Sequence, residues 1–255
     1  HQGPPEMRGD KTKNWDATGA YLLAYALPLR SLVITGKHGS SAEQISMESA
    51  RSLIKDGHGW TRHDRDSFYD SLSEEELLKR LDSWSPVVRE RAAAGLARKN
   101  TAPVDVLIKK LESNNLNSRI GACKALIKLG PKDTPALPAL RKTLKADDLW
   151  LRVKAAEAIT NMGDAGMPAL PELLERIAVG PTKEDPRGME QRFLIFTVFK
   201  RMINEKSLKT IDKGLLRKAV LSGLQNEDGR ARGSLSGLYK LLSYDELKPM
   251  LPAIQ

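Results

Sequence analysis

The stretch Arg89–Leu96, with the sequence RERAAAGL, decides the fold because it occurs three times in related form. The second copy is Arg119–Leu126 (RIGACKAL), and the third is Arg152–Ile159 (RVKAAEAI). Each copy begins with an Arg, has small residues three and four places later, and has an aliphatic residue seven places later. The three Arg are 30 and 33 residues apart, a period typical of stacked pairs of helices.

Around these segments the sequence predicts about five pairs of helices, beginning at residue 73. Ser73 and Glu76 have the spacing of a capping box at the start of the first pair. Three further starts are predicted where a capping side chain precedes a proline, at Ser85-Pro86, Thr134-Pro135 and Asp185-Pro186. Gly130 and Gly163 stand where second helices should end. The predicted fold class is therefore all-α.

These residues resemble HEAT repeats, most closely the short HEAT-like type of the bilin-lyase family and of many bacterial proteins. The resemblance covers residues 73–243 and implies a right-handed α-solenoid of about five repeats. It also implies a ladder in which an Asp between the two helices and the Arg of the second helix link neighbouring repeats. The implied ladder residues are Asp82, Arg89, Arg119, Asp147, Arg152, Asp185 and Arg192. The second repeat has Asn114 in place of the Asp, so the ladder should be weaker there.

The residues before the repeats have a different composition. Residues 1–13 are rich in Gly, Pro and charge, and we expect an extended lead-in. Residues 14–72 are expected to form a short helical segment, with one helix starting at Ser40 in a capping box with Glu43 and ending near Lys55. A polar stretch from Gly57 to Asp70 should then lead into the solenoid, which is predicted to occupy residues 73–255.

The segment from Trp15-Asp16-Ala17-Thr18-Gly19 to Gly36-Lys37 is similar to the closing helices of an α/α-toroid of the terpene-cyclase type. Large bacterial proteins of unknown role combine such a toroid with HEAT-like repeats. The resemblance covers residues 15–37 and includes no catalytic motif. It implies that any catalytic part of such a protein would lie upstream of this chain.

The charge of the chain suggests a binding surface. The formal net charge is +9, and residues 73–255 carry all of the excess, since residues 1–72 hold nine Lys or Arg and nine Asp or Glu. An aliphatic residue followed by charged residues recurs late in the first helices, which predicts one column of cations along the stack. This basic column is Arg80, Lys110, Lys142, Arg176 and Lys218. It could bind a polyanion, or it could only be favoured by the helix dipole at about 0.3–1 kcal/mol per cation.

Signals for catalysis, metals and cofactors are weak. His58 and His63, with the nearby residues Asp56, Asp64 and Asp66, lack a recurrent metal-ligand spacing, so a polar loop around Trp60 is the favoured interpretation. Thr35–Ser41 is only remotely like a phosphate-binding loop. No nucleophile and base have a signature spacing. We therefore expect no cofactor, no metal and no catalytic residue.

Two further features limit the function. The single cysteine, Cys123, excludes an internal disulfide, and it stands at a small position of the repeat where we expect it to be packed. The longest apolar run, Ala20–Leu27, is shorter than the roughly 20 residues that span a bilayer. Because the chain opens with His1, it could have been processed or be part of a longer protein, and localisation stays open.

The sequence thus favours a non-catalytic protein-interaction or scaffold module, which could be the C-terminal part of a larger protein. One alternative is nucleic-acid binding through the basic column, including the HEAT-like DNA glycosylase type, for which Trp150 and Asp148 are the candidate residues. The other alternative is an accessory part of an enzyme with an upstream toroid. Phe193, Phe196 and Phe199 make the fourth second-helix bulky, either as core or as a docking face.

Overall fold

The structure is a computed structural model that describes residues 31–35, 42–46, 62–99, 103–240 and 242–249. The chain divides into two compact units, residues 1–101 and residues 102–255. The boundary predicted at residue 72 stays a prediction. In the described residues, no helix is long and apolar enough to cross a membrane.

The first unit contains an antiparallel hairpin of β1 (Ser31–Thr35) and β2 (Ala42–Ser46), with Leu32 opposite Ile45. The helix predicted to start at Ser40 is therefore wrong, because its first residues form β2. The run of Leu, Val and Ile in β1 has high β-propensity, and β2, its pairing partner, begins seven residues after β1 ends. In this setting the pairing of the strands overrides the local capping signal at Ser40.

Three helices of the first unit follow: α1 (Arg62–Ser71), α2 (Glu74–Arg80) and α3 (Pro86–Arg98). The polar stretch predicted from Gly57 to Asp70 therefore includes part of a helix, because the residues from Arg62 onward form α1. Helix α1 packs on α3, and its Tyr69 is buried. The predicted capping box is confirmed: the Glu76 amide donates to Ser73 Oγ at 3.1 Å, and the Ser73 amide donates to Glu76 Oε2 at 2.8 Å.

The regular secondary structure in the described residues of the second unit is helical. Short 3₁₀ segments at Gly130–Ala136, Gly163–Ala169 and Ser236–Lys240 connect or end its helices. The α-helices are α4 (Val104–Leu111), α5 (Leu116–Leu129), α6 (Leu137–Thr143), α7 (Leu149–Asn161), α8 (Leu170–Val179), α9 (Met189–Arg201), α10 (Glu205–Leu208), α11 (Lys213–Leu224), α12 (Gly229–Leu235) and α13 (Tyr244–Leu247).

The helices of this unit stack in two layers. The second helices of the repeats form one layer, in which α5 packs on α7, α7 on α9 and α9 on α12. In the other layer α4 contacts α6, and α8 packs on α11. Fully buried small residues such as Ala122, Ala155 and Ala156 let the second helices approach closely. The predicted all-α repeat architecture is confirmed.

Some predicted helix starts need correction. The chain from Gly130 to Ala136 is a 3₁₀ segment, so Thr134-Pro135 does not start a helix; α6 begins at Leu137. Helix α9 begins at Met189, three residues after Pro186. Asp185 still caps α9, because its carboxylate accepts the amides of Met189 and Glu190 at 2.9 and 2.8 Å. The predicted stops are correct, since Gly130 and Gly163 both have φ of +62°.

Candidate functional site

In α3 and α7 the Arg near the start of the second helix binds the loop that precedes it. Arg89 donates to the carbonyls of Ser83 and Trp84, the latter at 2.9 Å. Arg152 donates to the carbonyls of Ala146 and Asp147, both at 2.7 Å. These charge-assisted bonds satisfy backbone oxygens that the turn leaves without helical partners. The first role of this Arg is therefore to hold the two helices of its own repeat together.

Arg152 also reaches the next repeat through a clamp on a buried carboxylate. Its Nε and Nη2 donate to Glu190 Oε1 and Oε2 at 2.9 and 2.6 Å. Arg176 donates to the same two oxygens, at 3.1 and 2.7 Å. Burial alone would raise the pKa of Glu190, but the hydrogen bonds from Arg152 and Arg176 outweigh it and hold the pKa below its usual range. Glu190 is thus ionised and shared by two guanidinium groups.

Arg192 of the implied ladder has a different partner from the one expected. Arg192 donates to Asp228 Oδ2 at 2.8 Å, and not to Asp185, both of whose oxygens cap α9. Asp147 contributes its backbone carbonyl to Arg152. Asp82 follows α2, and its amide donates to the Lys79 carbonyl. Links between neighbouring repeats therefore run from Arg152 to Glu190 and from Arg192 to Asp228, which the sequence spacing did not indicate.

A second polar network joins the fourth and fifth repeats. Asn226 donates to Gln191 Oε1 at 2.6 Å, and Gln191 Nε2 donates to the Ile177 carbonyl and to Ser222 Oγ, both at 2.8 Å. Asn226 and Gln191 are both buried. The network fixes the long loop before α9, because Asn226 also donates to the Gly188 carbonyl at 3.3 Å.

The cations of the basic column differ in their position relative to the second helices. In four repeats a leucine near the end of the first helix stands four places before the cap of the second helix, at Leu81, Leu111, Leu144 and Leu224. Arg80 and Lys110 lie one place before that leucine, Lys142 lies two places before it, and Lys218 lies six places before it. The cations therefore stand at different distances from the second helix, because the first helices differ in length; the column itself stays a prediction.

The cations of the predicted column also differ in availability. Arg176 is held by Glu190 and is half-buried. Arg80 donates to the Glu76 carbonyl at 3.2 Å and lies 5.8 Å from the centre of the Phe68 ring. Lys110 is half-buried, and Lys142 and Lys218 are exposed. Lys142 is 3.9 Å from Glu112, an exposed pair of little energetic weight.

Aromatic side chains are exposed on two neighbouring second helices. Trp150 of α7 is 48% exposed, and Phe196 of α9 is 52% exposed. Phe193 contacts Trp150 edge-on, with ring centres 5.7 Å apart. Arg192 lies 4.8 Å from the Phe193 ring centre, and Lys200 lies 5.2 Å from that of Phe196. We call Trp150, Phe193 and Phe196 the aromatic face.

The remaining candidate residues have structural surroundings. Asp148 caps α7 by accepting the Leu151 amide at 2.7 Å, and Phe199 is packed in the core. Cys123 is fully buried, which raises the pKa of its thiol to about 12. The strand β1 before Gly36 leads into a second strand and not into the helix that a phosphate-binding loop requires.

Of the predicted His and Asp cluster, Asp56 and His58 lie outside the described residues, and His63, Asp64 and Asp66 fall within α1. Within the residues that can be described, no group of three or more His, Cys, Asp or Glu could hold a metal ion.

Sequence reasoning missed Asp133, which lies in the first 3₁₀ segment of the second unit and is fully buried. In the described part of the chain, neither carboxyl oxygen has a hydrogen-bond partner on another residue. Burial raises the pKa of Asp133 to about 7. The matching residue one repeat later is Gly166, so a comparison of the repeats could have marked Asp133 as unusual.

Comparison with known proteins gave two family matches. The family described as HEAT repeats matches residues 74–159 and 104–187. A domain of unknown function, DUF6288, matches residues 1–36 and overlaps the segment that is similar to an α/α-toroid; the toroid itself stays a prediction. No curated protein matched the chain. Together with the stacked helix pairs of the structure, the first match shows that residues 74–187 of this chain are HEAT repeats.

Proposed function

We propose that the chain is a non-catalytic protein-interaction module that binds its partner through the aromatic face on α7 and α9. HEAT repeats form a helical module often used for protein interaction. The observation that supports this surface is the exposure of Trp150 and Phe196 at 48% and 52%. Large aromatic side chains are costly to leave in water and are enriched where proteins bind one another.

The surroundings of the aromatic face fit this role. Phe193 packs edge-on against Trp150, and Arg192 and Lys200 lie over the rings of Phe193 and Phe196 and add positive charge beside them. Apolar centres with a polar rim are typical of protein interfaces. Because the second helices are held by the Arg152–Glu190 and Arg192–Asp228 pairs, the rings stand on a fixed scaffold.

Nucleic-acid binding has less support. The predicted basic column is divided among different positions, and Arg176 is engaged by Glu190. Asp148, which a glycosylase-like site would use, caps α7. Phosphate-binding surfaces need several free cations that follow the backbone. Among the described residues, the cations that lie over rings of the aromatic face are Lys200 and Arg192, and Arg192 is already paired with Asp228.

The test compares proteins captured from the source cell extract by three forms of the chain. These are the wild type, the double variant Trp150→Ser with Phe196→Ser, and the control Val179→Ser, which removes a side chain that is 52% exposed on a first helix. The proposal expects at least one protein that is retained by the wild type and the control and is reduced at least tenfold by the double variant.

Equal capture by all three forms would contradict the use of the aromatic face. Circular dichroism should show the same helix content and melting for the three forms, since the substituted side chains are exposed. A protein captured equally well by the double variant would point to a different surface.

A further inference from the structure

The clamp on Glu190 has a counterpart one repeat earlier that lacks its carboxylate. Repeats can be matched through Pro138 and Pro171, which stand in identical Pro-Ala-Leu-Pro segments. With this matching Thr143 takes the place of Arg176. The repeat Arg gives the second match: Arg119 takes the place of Arg152, and Trp150 takes the place of Glu190, each two residues before the next repeat Arg.

Of these residues, Arg119 and Thr143 line an open cavity, whereas Trp150 does not. A cavity of about 280 Å³ is lined by Leu111, Glu112, Ser113, Asn114, Arg119, Ala139, Lys142 and Thr143. The guanidinium group of Arg119 lines this cavity, and part of its hydrogen-bonding capacity is not used. Its Nε donates to the Leu111 carbonyl at 3.0 Å, and within the described residues its two terminal nitrogens have no hydrogen-bond partner.

The polar lining fits a single negative charge. Arg119 and Lys142 contribute two positive charges, and Glu112 contributes one negative charge, 3.9 Å from Lys142. Ser113, Asn114 and Thr143 add hydroxyl and amide groups. A guanidinium with free terminal nitrogens matches the geometry of a carboxylate, as Arg152 shows with Glu190. A doubly charged phosphate would exceed the net charge of the lining.

We propose that this cavity, which we call the Arg119 pocket, binds the carboxylate of an Asp or Glu side chain from an acidic segment of the partner protein. This inference rests on the proposed function, because it specifies the partner of the interaction module. The bound carboxylate pairs with Arg119 as Glu190 pairs with Arg152 in the following repeat. A HEAT repeat without its internal acid thus becomes a receptor for an external one.

The test measures fluorescence anisotropy of a labelled hexaglutamate peptide with the whole chain. The wild type should bind, and Arg119→Gln should weaken binding at least tenfold. The matched control Lys109→Gln removes one positive charge from an exposed residue of α4 outside the pocket and should change the affinity less than twofold. Equal weakening by the two variants would overturn the proposal, because it would show general attraction to the positive chain.

A variant in which the pocket is filled distinguishes a loss of binding from a loss of folding. The variant Thr143→Glu places a carboxylate on the cavity lining beside Arg119, and it should fold and lose peptide binding. Retained binding in this variant would contradict the pocket. Displacement of the peptide by inorganic phosphate at concentrations where acetate has no effect would contradict the choice of a carboxylate.

The two proposals can fail separately. The peptide experiment measures binding in the Arg119 pocket, and it does not depend on the capture of a partner through Trp150 and Phe196. Absence of Arg119-dependent peptide binding would overturn the pocket alone, while a partner captured independently of the aromatic face would contradict the proposed function and leave the pocket in place.

Discussion

At the scale of single residues, two buried carboxyl groups of this protein have opposite surroundings. Glu190 is ionised and is clamped by Arg152 and Arg176. Asp133 is equally buried but has no partner on another described residue, so its neutral form is favoured. Removing a partner from a buried charge pair is expensive, and an unpaired buried acid makes stability depend on pH.

Arg152→Ala should destabilise the chain by about 2–3 kcal/mol, because it removes charge-assisted bonds to Glu190 and to two loop carbonyls. Urea unfolding followed by circular dichroism measures this change. The control is Arg217→Ala, an exposed residue of α11, which should change stability by less than about 0.5 kcal/mol. Unchanged stability of Arg152→Ala together with loss of a partner would show that Arg152 belongs to a binding site.

The contribution of Asp133 to stability should fall as pH rises from about 4 to 7. Its pKa is raised to about 7 in the folded chain, so the folded state holds a proton that the unfolded state has already released above its ordinary pKa. The free energy of unfolding should decrease by up to about 1.4 kcal/mol per pH unit in this window. Above pH 7 the effect should be constant.

Asp133→Asn keeps the shape of the side chain and removes its titration. Unfolding in urea at pH 5 and at pH 8 should show a smaller difference for this variant than for the wild type. An identical difference for both proteins would mean that Asp133 is ionised in the folded chain at pH 5. Glu190 should not contribute in this window, because its lowered pKa moves its effect to more acidic pH.

At the scale of elements, the sequence was most informative where a signal acts within a few residues. The Ser73–Glu76 box, the cap at Ser85 and the glycines at 130 and 163 were predicted correctly, since each depends on local backbone geometry. The prediction failed where tertiary contacts decide: at the β1–β2 hairpin, at α1 and at the start of α6.

The site was less predictable than the helix ends, because its contacts join residues that are far apart in the sequence. The repeat Arg could be found by its period, but the partner of Arg152 lies 38 residues away, beyond a loop whose length differs from that of the other repeats. The register of the cations depends on where each first helix ends. The exposure of Phe196 and the burial of Phe199 were left open, since both readings fit a helix with apolar residues around it.

The long loop before α9 gives a test at this scale. Gly188 has φ of +58°, and an added Cβ would lie 2.5 Å from Asn226 Nδ2, inside the buried network with Gln191. Gly188→Ala should therefore cost about 2–3 kcal/mol, from backbone strain and from disturbed hydrogen bonds.

Gly163→Ala is the matched control. Its φ is +62°, but an added Cβ there would meet no atom within 4 Å, so only the strain of about 1 kcal/mol should appear. Chemical unfolding of both variants measures the difference. Equal losses would show that the Gln191–Asn226 network adapts to the extra methyl group.

At the scale of the whole molecule, positive charge does not by itself make a binding surface. The chain has a net charge of +9, yet several Arg in the second unit are used internally, including Arg152, Arg176 and Arg192. The stacked helices instead present exposed rings on α7 and α9. These exposed rings support the proposed protein-interaction role.

Binding to duplex DNA should be no tighter than micromolar at about 150 mM salt, and it should not depend on sequence. Fluorescence anisotropy with two unrelated 20-base-pair duplexes at two salt concentrations measures this. Nanomolar affinity that is lost when Lys110, Lys142 and Arg176 are changed to Glu would restore the basic column as a functional surface.

Hydrogen–deuterium exchange of the chain with and without a captured partner is the most direct test of whether the partner binds the aromatic face. If the aromatic face binds the partner, the partner slows exchange in α7 and α9, at residues 149–161 and 189–201. The double variant Trp150→Ser with Phe196→Ser should abolish this protection. Protection confined to the first helices α6 and α8, with no change in α7 and α9, would contradict the account.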